Sequence, residues 1–114
     1  MGPRLTPHVR HREKYVDMPV TEDRAFVFGG YGNAAVRRVR TLRQFVIVLE
    51  SLPARSFDGY LRRGDFSRWI QQVFGDGTLG SELRALEARY RDGGGANAVP
   101  DVVAAVRSRY DLAE

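Results

Sequence analysis

Apolar side chains recur at helical spacing through most of the chain beyond residue 41, and at strand spacing only briefly before it. The clearest stripe is Phe66, Trp69, Ile70, Val73 and Phe74, at i, i+3, i+4, i+7 and i+8, which predicts an amphipathic helix opening at Asp65. Asp65 follows Gly64 and is placed to cap that helix with its side chain. Upstream, Leu42, Phe45, Val46, Val48, Leu49 and Leu52 form a broad apolar face, and Thr41-Leu42-Arg43-Gln44 reads as its capping box. Pro53 ends this helix and suits the first turn of a short one over 54–62, with Phe57, Tyr60 and Leu61 inward. Gly75-Asp76-Gly77 reads as a turn. Thr78 then caps a helix to about Arg91, with Leu79, Leu83, Leu86 and Tyr90 inward. Residues 92–98 form a glycine-rich hinge. Pro100 fits the first turn of a final helix whose apolar side carries Val99, Val102, Val103, Val106 and Tyr110.

Before residue 41 the pattern changes. Ala25-Phe26-Val27-Phe28 is aromatic and β-branched, as a short strand is. Gly29, Gly30, Gly32 and Asn33 supply turn chemistry, and residues 34–39 return as a second strand. Residues 1–20 have no period and are interrupted by Pro3, Pro7 and Pro19, so they read as an extended arm. The expected fold is therefore α+β and mainly α: a short N-terminal β-hairpin packed on four or five helices. The expected organisation is a basic arm over 1–20, a hairpin-plus-helices domain over 21–91, the hinge, and a C-terminal helix over 99–114. Phe26, Phe28, Phe45, Leu49, Leu52, Phe57, Phe66, Trp69, Ile70, Val73, Phe74, Leu83 and Leu86 are the expected core.

Composition narrows the chemistry. One hundred and fourteen residues suffice for one domain with a modest core. The absence of cysteine excludes a disulfide framework, a thiol nucleophile and thiolate metal sites, and fits a cytoplasmic setting. No apolar run reaches the length of a membrane span, and the N-terminus has no secretory pattern. The net charge of +4 hides an asymmetry: residues 1–63 hold 12 of the 18 basic residues and 6 of the 14 acids. Lys14 is the single lysine. Arginine pairs bidentately with phosphates and carboxylates, so an acidic or phosphate-bearing partner is expected for the N-terminal half.

Candidate catalytic groups are sparse. His8 and His11 lie three apart in the arm with no adjacent further ligands, so no metal site and no cofactor are expected. The predicted globular part contains no His, which leaves acid–base work to carboxylates, Tyr or Lys. Asp58, Asp65 and Asp76 fall on different elements, and Gly29-Gly30-Tyr31-Gly32 lacks the continuation of a phosphate loop. Arg63-Gly64-Asp65, a cell-adhesion tripeptide elsewhere, opens a helix here. The basic residues are the better candidates. Arg4, Arg10, Arg12 and Lys14 on the arm, with Arg37, Arg38, Arg40 and Arg43, form a set able to track nucleic-acid phosphates. Arg62 and Arg63 join them if the second helix folds back. Within the strand, Arg38 and Arg40 share a face, with Arg37 opposite.

The stretch from Ala25 to about Leu86 resembles an uncharacterised family of short prokaryotic domains. The resemblance lies in Ala25-Phe26-Val27-Phe28, Thr41-Leu42, Leu49-Glu50-Ser51-Leu52-Pro53, Phe57, Gly64-Asp65-Phe66-Ser67-Arg68-Trp69-Ile70, Val73-Phe74-Gly75-Asp76 and Leu79. The Asp-Phe-x-x-Trp-Ile-x-x-Val-x-Gly-Asp block is its most specific part. The resemblance implies a hairpin followed by packed helices, used as a module alone or fused to other domains, and carries no activity. Tyr60 stands where similar sequences often have a His.

The leading expectation is a small non-catalytic interaction module binding an acidic or phosphate-bearing partner such as RNA or a ribonucleoprotein like the ribosome. The alternative is a protein-only adaptor or subunit of a larger assembly, using the hairpin edge or the final helix, with Val102, Val103, Val106 and Tyr110 as partner-binding residues. An enzyme is the least expected of the three.

Overall fold

A computed structural model describes residues 16–29, 37–94 and 96–110. A 3-10 turn at Glu22–Arg24 leads into strand β1 (Phe26–Phe28), which pairs antiparallel with β2 (Arg37–Val39). Helix α1 (Leu42–Ser51), a 3-10 turn at Ala54–Phe57, and helices α2 (Asp58–Arg63), α3 (Asp65–Phe74), α4 (Gly77–Arg91) and α5 (Ala98–Tyr110) follow. The fold is mainly helical with a two-stranded hairpin, as the periodicity predicts. Residues 34–36, expected in the second strand, and the arm up to residue 15 lie outside the described residues.

The hairpin is too small to stand alone and is held by aromatic packing. In the register Phe26↔Val39, Val27↔Arg38, Phe28↔Arg37, the buried Phe26, Phe28 and Val39 face the helices. Phe26 lies within 5.8 Å, centroid to centroid, of Phe45, Tyr60, Phe66 and Trp69. Aromatic pairs at such separations and tilts add to plain area burial. Two hydrogen bonds fasten the strand to the helices: Gly29 N–H donates to the Tyr60 hydroxyl at 2.8 Å, and Trp69 Nε1–H donates to the Arg24 carbonyl at 2.8 Å.

Helix starts follow the sequence in one case and depart from it in two. Thr41 Oγ1 accepts from Gln44 N–H at 3.0 Å, as the capping box requires. The reciprocal Gln44 bond goes one residue further back, to Arg40 N–H at 2.8 Å. The α3 start differs from expectation. Gly64 occupies the cap position with φ +73°, and Asp65 makes no capping bond. At α4 the cap is Asp76, whose carboxylate accepts from Leu79 N–H at 3.0 Å, and not Thr78. The turn aspartate lies one residue before the helix, where its oxygen reaches the orphan amides; Thr78 is already inside.

Helix α5 packs on α1 and α4, and Val99, Val102, Val103, Val106 and Tyr110 are all buried in the common core. These residues were expected to serve a partner; the fold uses them itself. An adaptor docking through the valine stripe of this helix therefore does not fit the structure. Of the expected core, Leu52, Val73 and Leu86 are only partly buried, while Leu42, Val46, Leu61 and Leu79 join it fully.

Candidate functional site

The expected nucleic-acid set divides in three. Arg4, Arg10, Arg12 and Lys14 lie outside the described residues. On the hairpin, Arg37 and Arg38 are both exposed, and neither makes an ion pair among the described residues. Arg38 shares the solvent face with Val27, its strand partner. Just beyond, Arg40 donates through Nε to the Val20 carbonyl at 2.6 Å and lies 3.6 Å from Glu22. Arg43 pairs with Asp17 at 2.8 Å, and that hydrogen bond holds the Asp17 carboxyl below its usual range. Both arginines keep substantial exposure, so their pairs are solvated and weak competitors for another anion.

Arg62 and Arg63 belong to a different part of the molecule. Arg62 pairs with Asp58 at 3.0 Å and lies over the Tyr90 ring, 5.4 Å from its centroid. Asp58 also accepts from the Tyr90 hydroxyl at 2.5 Å; this bond, then that of Arg62, lowers the Asp58 pKa and correspondingly raises that of Tyr90. Arg63 pairs with Asp65 at 2.9 Å, over the Tyr60 ring. It opens a groove of about 260 Å³ between α2, α3 and α4, lined also by Gly64, Ser67, Arg68, Gln71, Arg84, Glu87 and Arg91. Sequence reasoning grouped Arg63 with the hairpin; the fold groups it with three arginines of the helical layer.

The groove is built from the helix contact upward. Glu87 is fully buried on α4, on the same stripe as Leu79 and Leu83. One carboxyl oxygen accepts from Ser67 N–H at 3.0 Å, the other from Ser67 Oγ at 2.6 Å. It caps the start of α3 from twenty residues away, in the role expected of Asp65. Burial lifts the Glu87 pKa above the ordinary carboxyl range, opposed by the bonds from Ser67 and by the amides of Ser67 and Phe66. Asp65 instead joins Arg63 to Arg68, with Arg68 Nη1 at 2.7 Å. Arg68 is fixed again by the Arg63 carbonyl at 2.7 Å. Gln71 lies across Gly80, where a Cβ would come 2.1 Å from its Cγ, and its Oε1 accepts from Arg84 at 2.5 Å.

A second, shallower depression of about 340 Å³ runs between β1 and α3, lined by Ala25, Phe26, Val27, Tyr60, Asp65, Arg68, Trp69 and Gln72. The third carboxylate weighed for chemistry, Asp76, accepts from Leu79 N–H, Arg109 and Tyr110. Asp58, Asp65 and Asp76 are thus each tied to an arginine. Among the described residues no three His, Cys, Asp or Glu side chains gather as a metal site would require. Nor is any helix among them long and apolar enough to cross a membrane.

No family model, curated protein or solved structure matches the chain.

The site residues that sequence reading missed are Ser67, Arg68, Gln71, Arg84, Glu87 and Arg91. One signal pointed to them. Glu87 interrupts an apolar stripe between Leu83 and Tyr90, and a carboxylate in such a position must find donors on a neighbouring element.

Proposed function

We propose that the chain is a non-catalytic interaction module that engages a phosphate-bearing macromolecule, RNA first among them, through its hairpin arginines and basic arm. The observation that supports this is the pair Arg37 and Arg38. They are adjacent on β2, exposed, and without a carboxylate partner among the described residues. Most other arginines near the hairpin and the helix starts are already matched to an acid. Guanidiniums left unmatched on a rigid strand retain their bidentate capacity for phosphate oxygens. Arg37 and Arg38 point to opposite faces of the strand, so a phosphate backbone would meet them around the hairpin edge; Arg40 and Arg43 follow in the chain, their solvated pairs open to exchange.

The test is binding of a single-stranded RNA to the full chain across a salt series. Each phosphate contact contributes a slope of about −0.7 in log K against log salt for single strands, so R37Q/R38Q should flatten the slope by about 1.4. A variant with Arg4, Arg10, Arg12 and Lys14 changed to Gln should flatten it further. No binding at low salt, or binding indifferent to salt, overturns the reading.

A further inference from the structure

We propose that the groove between α2, α3 and α4 is a binding site for a single phosphate group. The proposal does not rest on the RNA reading, because Arg37 and Arg38 take no part in it. Four arginines line the groove, from three elements: Arg63 at the end of α2, Arg68 on α3, and Arg84 and Arg91 on α4. Arg84 and Arg91 lie seven residues apart, two turns along one helix face, with Glu87 between them.

Glu87 is the carboxylate that lines the groove, and Asp65 lies beside it; both are already engaged. Asp65 is shared by Arg63 and Arg68, and both oxygens of Glu87 accept from Ser67. Four arginines against the lining Glu87 and the neighbouring Asp65 leave a formal excess of positive charge. Arg84 commits one N–H to Gln71, and Arg91 is attracted by the Glu87 carboxyl without a salt bridge to it.

Three of the four arginines are also held in place before a ligand arrives. Arg68 is fixed between Asp65 and the Arg63 carbonyl, and Arg63 by Asp65 and the Tyr60 ring. Arg84 is held by Gln71, itself lodged against Gly80. Side chains ordered in advance lose less entropy on binding. Size and shape select the ligand. The cavity of about 260 Å³ falls below the range of about 300–1,000 Å³ typical of sites for drug-sized ligands, so it suits a single anionic group. A phosphate offers three or four oxygens and nearly two charges near neutrality, enough for several guanidiniums together; a carboxylate offers two oxygens and one charge.

The experiment is titration of the full chain with inorganic phosphate at constant ionic strength, followed by arginine Nε–H and Ser67 amide NMR shifts. Saturable binding is expected. R84Q/R91Q should weaken it at least about tenfold, and R84K/R91K should weaken it less, since charge remains while the bidentate geometry is lost. R37Q/R38Q should leave it unchanged. Phenyl phosphate competing for the site would assign it to an esterified phosphate; failure to compete would assign it to the free ion. Absence of saturable binding, equal affinity for acetate, or loss of affinity in R37Q/R38Q overturns the proposal. Amide spectra that match the wild type away from the groove exclude misfolding as the cause of a loss in R84Q/R91Q.

Discussion

Replacing Asp76 with alanine removes one carboxylate from four hydrogen bonds at once. Its oxygens accept from Leu79 N–H at 3.0 Å, from Arg109 at 2.8 and 3.1 Å, and from the Tyr110 hydroxyl at 2.7 Å. The first bond caps α4; the others tie the end of α5 to that cap. Loss of an N-cap costs about 1 kcal/mol. Loss of hydrogen bonds to a charged group in a mostly buried setting costs about 1.5–3 kcal/mol more. Arg109 keeps about a fifth of its side-chain surface in solvent and can rehydrate, which favours the lower half of that range. Asp76→Ala should therefore destabilise the chain by about 2.5–3.3 kcal/mol, read from urea midpoints at constant m. Asp76→Asn keeps a cap acceptor and should recover about 1 kcal/mol of that loss. The pH dependence follows. Burial alone would raise the Asp76 pKa, but the bonds from Arg109, Leu79 N–H and Tyr110 outweigh it and depress it below 3.8. A depressed carboxyl stabilises the fold above its unfolded pKa, and the contribution is lost as pH falls through the folded pKa. The stability difference between wild type and Asp76→Asn should accordingly shrink in acid. A cost for Asp76→Ala below about 1 kcal/mol, or a difference from Asp76→Asn that stays constant into acid, would refute the account of this residue as the joint between α4 and α5.

Glu87 titrates in the opposite sense. Its folded pKa is raised, so the folded state binds the proton more tightly, and its contribution is full below 4.5 and declines as pH rises through the folded pKa. The advantage of wild type over Glu87→Gln in urea unfolding should shrink from pH 4.5 toward neutrality; an advantage that grows contradicts the burial argument. Trp69→Ala should cost about 3–5 kcal/mol, since the ring is buried against Phe26, Phe45 and Phe74 and its N–H is bonded. A thermal shift equivalent to less than about 1 kcal/mol would place the tryptophan outside the cooperative core. Gly80→Ala sets helix propensity, worth about 1 kcal/mol in favour, against a Cβ 2.1 Å from Gln71 Cγ. The clash should win, with a net loss of about 1–2 kcal/mol by urea denaturation; a stabilised variant would mean that α3 and α4 can separate freely.

Which parts of this fold were legible in sequence depends on how local their causes are. The α3 stripe from Phe66 to Phe74 and the Thr41 cap follow from neighbours within a turn or two; the stripe emerges with Val73 only partly buried, and the Thr41 hydroxyl caps Gln44 N–H as read. The α3 cap does not, because its acceptor is Glu87, placed by α4 packing and not by the chain beside Gly64. Asp65, freed from capping, joins two arginines instead. The valines of α5 are periodic whether they face their own domain or another surface; only the packing of α1 and α4 shows that they turn inward. Arg63 is similarly ambiguous. Its place beside Arg84 and Arg91 depends on how closely α3 and α4 approach at Gly80, which helical spacing cannot report.

The position of α5 in the chain also governs the order in which the core can close during synthesis. The faces of α1 and α4 that α5 covers are made first, and the helix that shields them is made afterwards. Nineteen residues separate Arg91 from Tyr110, which at about 5–20 residues per second is an interval of about 1–4 s. For that time the apolar side chains of α1 and α4 that pack on α5 lack their cover, which Val102 and Val106 then help to supply. A single late helix thus closes a core whose other walls are made before it.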